Sequence, residues 1–204
     1  MLDREPLLHP VAITDLRPTQ MTVGYREVER KRREWQARAD TDGADYLGRH
    51  MIPVVIGPKD RPWMIDNHHL ARALHEEGVG KVLTRVVADL SKVHGRLFKT
   101  FMDNRNWLHP FDAEGHRHDV DDIPRHIGKL ADDPYRSLAG ELRRAGGYAK
   151  DDTPFSEFLW ADYLRRHIRV DTVKKDFEKA VNKALAIARL PDAAYLPGWA
   201  GPHD

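Results

Sequence analysis

The chain has 204 residues, 41% hydrophobic and 32% charged, enough for one sizeable core or for a smaller core domain with an appendage. Lysine and arginine number 33 against 32 acidic residues, a formal net charge of +1, so a dedicated nucleic-acid binder working mainly by phosphate neutralisation is not favoured. Cysteine is absent, which removes disulfides, thiolate metal sites and cysteine nucleophiles.

Residues 1–6 show no basic start leading into an apolar stretch. No segment approaches the roughly 20 apolar residues of a membrane span. A soluble, cytoplasmic protein without a membrane partner is expected. Residues 11–14 read as a short strand, and Leu16-Arg17-Pro18-Thr19-Gln20 as the turn leaving it. Thr22 is placed to cap a helix running to about Ala39, on which Gly24, Val28, Lys31 and Trp35 share one stripe. Residues 40–48 are polar and read as a loop. Ile52-Pro53-Val54-Val55-Ile56-Gly57 is a continuous, mostly β-branched run, the pattern of a strand buried on both faces. A turn at 58–62 and a short strand at 63–65 follow. A helix then opens at Asp66, with Leu70, Ala73 and Leu74 as its apolar face and Gly78 at its end. Val82 to Asp89 reads as another strand.

Beyond residue 90 no further strand is convincing. Residues 109–122 form a loop rich in His and Asp, whose His116, His118, Asp112 and Asp119 have metal-ligand chemistry but no matching spacing, so a solvated loop is expected. The basic runs Arg30-Lys31-Arg32-Arg33 and Arg165-Arg166-His167 have acidic neighbours and read as solvated faces. Thr153-Pro154 with Glu157 predicts a helix start, with proline in the first helical position. The aromatic stretch 155–164 predicts a buried helix, and 171–189 a last amphipathic one. The expected fold class is α+β: a small mixed-sheet core at 8–90 and a helical extension at 91–204 packed on it.

The candidate chemistry gathers at Asp66-Asn67-His68-His69. The first turn of a helix leaves backbone N–H groups without intrahelical partners, and the macrodipole adds about half a positive charge there. A phosphate satisfies both. Asn67 sits where the chain must turn from strand to helix, and asparagine tolerates positive φ better than any residue but glycine. Asp66 has two candidate roles, N-cap or metal ligand and general base, and residue type favours the first. His68 and His69 point about 100° apart on a helix, so only one can serve a given atom. Either can exchange a proton near neutral pH.

Ile52-Pro53-Val54-Val55-Ile56 followed by Ile65-Asp66-Asn67-His68-His69-Leu70-Ala71-Arg72 resembles the ParB/sulfiredoxin superfamily, and most closely its ParB-like nuclease branch, which carries an Asp-Gly-His-His-Leu motif. Residues 16–24, with Val28 and Lys31, are similar to that branch's first motif. Asp132, Pro134-Tyr135-Arg136-Ser137-Leu138 and residues 155–160 are similar to its C-terminal half. The resemblance implies a ParB/sulfiredoxin-like core that places nucleotide phosphates at the helix start. Asn67 stands where the motif has glycine, His68 and His69 match its paired histidines, and Arg72 falls where ParB proteins carry the last arginine of their phosphate motif. The sulfiredoxin cysteine is missing, which excludes sulfinic acid repair. Gln20 resembles in position the base carboxylate of the serine kinases, and an amide cannot take a proton. No helix-turn-helix pattern follows the core, so ParB-type sequence-specific DNA binding is not expected.

These features define the expected site. Asp66, His68 and His69 are the candidate catalytic residues; Asn67, His68, His69, Lys31 and Arg72 the candidate phosphate ligands. Thr19 and Gln20 are candidate substrate contacts, and Asp66 the candidate ligand of Mg²⁺. The expected function is phosphoryl transfer or phosphate-ester hydrolysis on a nucleotide or phosphorylated small molecule of unspecified identity. The alternatives are a metal-dependent nuclease acting on nucleic acid and a nucleotide-binding module without chemistry.

Overall fold

The computed structural model describes residues 9–202. The start of the chain, read above for a leader, and the first residue of the expected core domain lie outside them. The elements in chain order are β1 (His9–Ala12), β2 (Thr22–Val23), α1 (Tyr25–Gln36), α2 (Ala39–Arg49), β3 (Ile52–Gly57), β4 (Arg61–Met64), α3 (His68–Glu76), β5 (Lys81–Asp89) and α4 (Gly95–Asn104). They continue as β6 (Ala131–Asp132), α5 (Pro134–Arg144), α6 (Ser156–His167), α7 (Val170–Lys175) and α8 (Phe177–Ala188). The class is α+β, as expected, with a mixed sheet in the first half and helices in the second. No described helix is long and apolar enough to cross a membrane.

The four-stranded sheet has the order β1-β5-β3-β4. β3 runs parallel to β5, with Val54 opposite Val86, and antiparallel to β4, with Val55 opposite Trp63. β1 lies antiparallel on β5, pairing Val11 with Val82. Adjacent residues of a strand face opposite sides, and both Val54 and Val55 are fully buried. β3 is therefore covered on both faces, as its β-branched run predicts. Its last residue is glycine, where a Cβ would meet Trp63 Nε1 at 2.6 Å and Phe98 at 2.7 Å.

The chain divides into two compact units. One comprises the described residues up to Thr22 with Val28–Asp112 and His116–Ala131; the other comprises Val23–Glu27, Ala113–Gly115 and the residues from Asp132 onward. Residues 91–112 and 116–131 fall with the sheet in this division, and Phe98, Met102, Leu108 and Ile123 form one buried cluster with Val55 of β3. The segment after β5 therefore completes the sheet's core. In the second unit Trp160, Leu164, Leu138 and Leu142 centre a separate cluster, joined by Ala180, Ala184 and Ala188 of α8.

Four local expectations are corrected. Residues 40–48 are helical rather than a loop, because α2 buries Tyr46, whose ring lies 5.8 Å from that of Trp35. Thr22 lies in β2 and caps nothing; α1 starts at Tyr25. The helix predicted at Pro154 starts instead at Ser156, after Phe155 adopts φ 59°. The predicted 171–189 helix is two, broken at Asp176, whose carboxylate accepts the Lys179 N–H at 3.0 Å and so caps α8.

Candidate functional site

β4 leads directly into the turn that opens α3. Asn67 holds that turn in the left-handed region, φ 63° and ψ 27°, as its residue type predicts. Its side-chain amide donates to Met51 O at 3.1 Å and makes no capping bond to the helix. Asn67 rather than Asp66 is therefore the N-cap residue. Asp66 is exposed and accepts the Asn67 N–H at 2.7 Å. The capping role expected for Asp66 is thus corrected: its carboxylate braces the turn from outside the helix.

The two histidines part company, as their 100° separation requires. His68 is buried, and its Nε2 accepts the Thr19 backbone N–H at 3.2 Å. An accepting Nε2 makes the ring neutral, with its proton on Nδ1. The Thr19 hydroxyl lies 3.3 Å from the same nitrogen and donates to Met64 O at 2.7 Å. His68 thus ties the Thr19 loop to the start of α3. His69 is half-buried on the adjoining side of the helix.

The Thr19–Gln20 loop runs alongside β4: Arg17 N donates to Pro62 O and Met64 N to Arg17 O, both at 2.9 Å. Gln20 is buried, and its Nε2 donates to Thr22 O, a bond that stabilises the turn. Thr19 O accepts the His109 N–H at 2.7 Å, so His109 joins this neighbourhood from a distant segment.

Arg72 and Lys31 are placed elsewhere. Arg72 Nη1 donates to Ile127 O at 3.3 Å and Leu130 O at 3.1 Å, while Nε meets Glu76 at 2.7 Å. It fastens the 127–130 turn to α3. Lys31 Nζ pairs with Glu34 at 2.9 Å on its own helix. Its neighbour Arg32 binds Glu77 at 2.6 Å, at the far end of α3, roughly 14 Å along the helix from the Asn67 turn. The structure thus gathers Asp66, Asn67, His68, His69 and Thr19, with Gln20 on the same loop, and directs Lys31 and Arg72 to other contacts.

Among the described residues no group of three His, Asp or Glu side chains could hold a metal ion. In the 109–122 loop Asp112 accepts the His116 N–H at 2.8 Å and meets His118 Nε2 at 2.7 Å. Asp119 and Asp122 form a reciprocal cap around 120–122. These side chains stabilise the loop. Within residues 65–69 the carboxylate is Asp66, a donor that fits Mg²⁺ only as part of a shell completed by water and ligand phosphates.

The family model described as "Putative ParB-like nuclease" matches residues 9–166, a span that includes the whole α3 turn and the Thr19–Gln20 loop. The chain belongs to this ParB-like family. Among solved structures, the crystal structure of protein Atu1540 from Agrobacterium tumefaciens is 50% identical, with a TM-score of 0.90, over 97% of this chain and 100% of that one. No curated protein matches the chain. The ParB-like match ends at Arg166, within α6, so α7 and α8 lie beyond it.

A basic cleft in the same unit escaped the sequence reading. Arg17, Arg61 and Arg125 line it, with Lys99 and Trp63. The three arginines come from segments 44 and 64 residues apart (61 − 17 and 125 − 61), so no local spacing could reveal them. The one available signal was Arg17 itself, directly before Pro18-Thr19-Gln20.

Proposed function

We propose that this ParB-like protein binds a phosphate-bearing ligand, a nucleotide or phosphorylated small molecule, at the first turn of α3 and carries out phosphoryl transfer or phosphate-ester hydrolysis there. One observation supports this above the others: the N-cap residue Asn67 turns its side chain to Met51 O and makes no capping bond to the helix itself. A phosphate there meets the positive end of the macrodipole and backbone N–H groups. Asp66 and His69 border that position and are the groups able to handle a proton. His68 is a positioning residue, since its Nε2 already accepts from Thr19. If Mg²⁺ takes part, Asp66 is its protein ligand, and the ion supplies charge neutralisation on the phosphate.

The test is a thermal-shift screen of nucleotides and sugar phosphates, with and without Mg²⁺, followed by turnover assays on any ligand found. A ligand at a hundred times its Kd adds about 2.7 kcal/mol to stability. Asp66→Asn and His69→Gln are expected to lower turnover at least tenfold. Unchanged turnover in both variants would remove the role assignment. Stabilisation without turnover would leave a binding module, in keeping with an amide rather than a carboxylate at Gln20.

The family description favours a second reading, a nuclease. Incubation of the protein with single- and double-stranded nucleic acid under several divalent ions separates the two. Cleavage abolished by Asp66→Asn supports the nuclease, and no cleavage under any ion removes it.

A further inference from the structure

The basic cleft has a volume of about 250 Å³, just below the usual range for small-molecule pockets and suited to a compact ligand group. The Arg17 backbone is tied to β4 by the bonds to Pro62 and Met64, and its Nη1 donates to Arg125 O at 2.9 Å. Arg61 and Arg125 are exposed and line the same cleft. Asp121, the one carboxylate in the lining, is ion-paired with Lys99. Among the described residues no carboxylate forms an ion pair with Arg17, Arg61 or Arg125. The Arg17 guanidinium is held below its ordinary pKa by burial, then by Arg61 and Arg125, with Asp15 opposing. Convergent arginines without an ion-paired carboxylate among the described residues, beside the apolar Trp63, Val120 and Ile123, have the form of an oxyanion receptor. Guanidinium forks match phosphate oxygens in geometry as well as charge.

We propose that the cleft lined by Arg17, Arg61 and Arg125 is a second anion-binding site, taking a phosphate group of a small phosphorylated ligand or of a nucleic-acid strand. It is a different site from the α3 turn and does not depend on chemistry there. The two are connected, because Arg17 lies two residues before Thr19, about 7 Å along an extended chain.

The experiment uses pyrophosphate and a short single-stranded oligonucleotide as probes, with affinities measured by calorimetry. It is run in a His69→Glu background, where a carboxylate repels anions from the α3 turn, so failure of that site and failure of the cleft read separately. Adding Arg61→Gln and Arg125→Gln is expected to weaken binding at least tenfold. Both side chains are exposed, and an unchanged melting temperature confirms the fold. For the oligonucleotide, the salt dependence of log K should also flatten by about one to one and a half, two contacts at roughly 0.7 each. Arginine-dependent binding of pyrophosphate assigns the cleft to small phosphorylated ligands. Such binding of the oligonucleotide alone assigns it to nucleic acid. Absence of binding by both probes, or equal affinity with and without the two arginines, overturns the proposal.

Discussion

Arg136 in the helical unit and Arg17 in the sheet-containing unit are both guanidinium groups partly or largely withdrawn from water, and the chain treats them differently. Arg136 is 6% exposed, lies 3.8 Å above the Phe158 ring and meets Glu157 at 3.3 Å. Around it Arg143 takes the other oxygen of Glu157, Arg144 binds both Glu27 and Glu141, and Arg165 binds Asp133. Charge in that unit is matched locally and serves packing. Arg17 has two other arginines as neighbours and, among the described residues, no carboxylate in ion-pairing contact, with Asp15 only partly offsetting them. A folded chain tolerates such a cluster where solvent ions or a ligand can neutralise it. The difference teaches that counting charges misleads here. A net charge of +1 averages a self-neutralised helical unit with a sheet unit that holds a local cationic cleft.

The sharpest way to break this contrast is to remove a counter-charge from the helical unit. Glu157→Ala leaves Arg136 buried without its carboxylate, and breaking such a pair costs about 3 kcal/mol or somewhat more. The partial exposure of Glu157, 23% of its side chain, argues for the lower end. Adding Arg136→Met, which keeps an apolar side chain over Phe158, is expected to recover most of that loss. Arg61→Gln in the sheet unit breaks no pair and should stay within about 0.5 kcal/mol of the parent. Denaturant melts of the four proteins check this, and a loss from Arg61→Gln as large as that from Glu157→Ala would erase the distinction.

An intermediate effect is expected at His68. Its ring is buried and accepts the Thr19 N–H, so His68→Ala orphans that donor at a cost of about 1–3 kcal/mol. It also frees the Thr19–Gln20 loop. Hydrogen exchange at the Thr19 amide should accelerate more than exchange across β3. Equal acceleration at both would mean that His68 supports the core generally and does not tether the loop.

How far these features were legible in the sequence depends on the range of the interaction behind them. β3, the positive φ of Asn67 and the divergence of His68 and His69 follow from neighbours within a few residues, and all are present in the structure. α2 was missed because its polar residues conceal one decisive burial, Tyr46 against Trp35. The break at Asp176 is a single cap inside an otherwise continuous apolar stripe. At the site, Lys31 and Arg72 have suitable chemistry but are taken by other partners: Lys31 by Glu34 one turn on along its own helix, and Arg72 by the Ile127 and Leu130 carbonyls, which only the fold supplies. The arginine cleft is invisible for the same reason in reverse, since tertiary folding assembles it from three remote segments.

The smallest predicted effect tests the helical unit's charge network by pH. Asp133 is 1% exposed, caps α5 through the Tyr135 N–H at 2.9 Å and binds Arg165 at 2.7 Å. Burial nevertheless raises its pKa above 3.8, with the Arg165 charge opposing and the Tyr135 N–H helping to oppose. An acid whose folded pKa is raised holds its proton more tightly in the native state than in the unfolded chain. Its contribution to stability therefore grows as pH falls through the raised value toward 3.8 and is lost as pH rises back through that window. Asp133→Asn keeps an oxygen for the Tyr135 N–H and cannot titrate. Comparing unfolding free energies of the two proteins from pH 7 down to pH 4 isolates this group, and the difference should shift toward the wild type on acidification. A shift toward the variant would mean that the Arg165 pair outweighs burial, making Asp133 an ordinary stabilising carboxylate whose charge the helical unit needs.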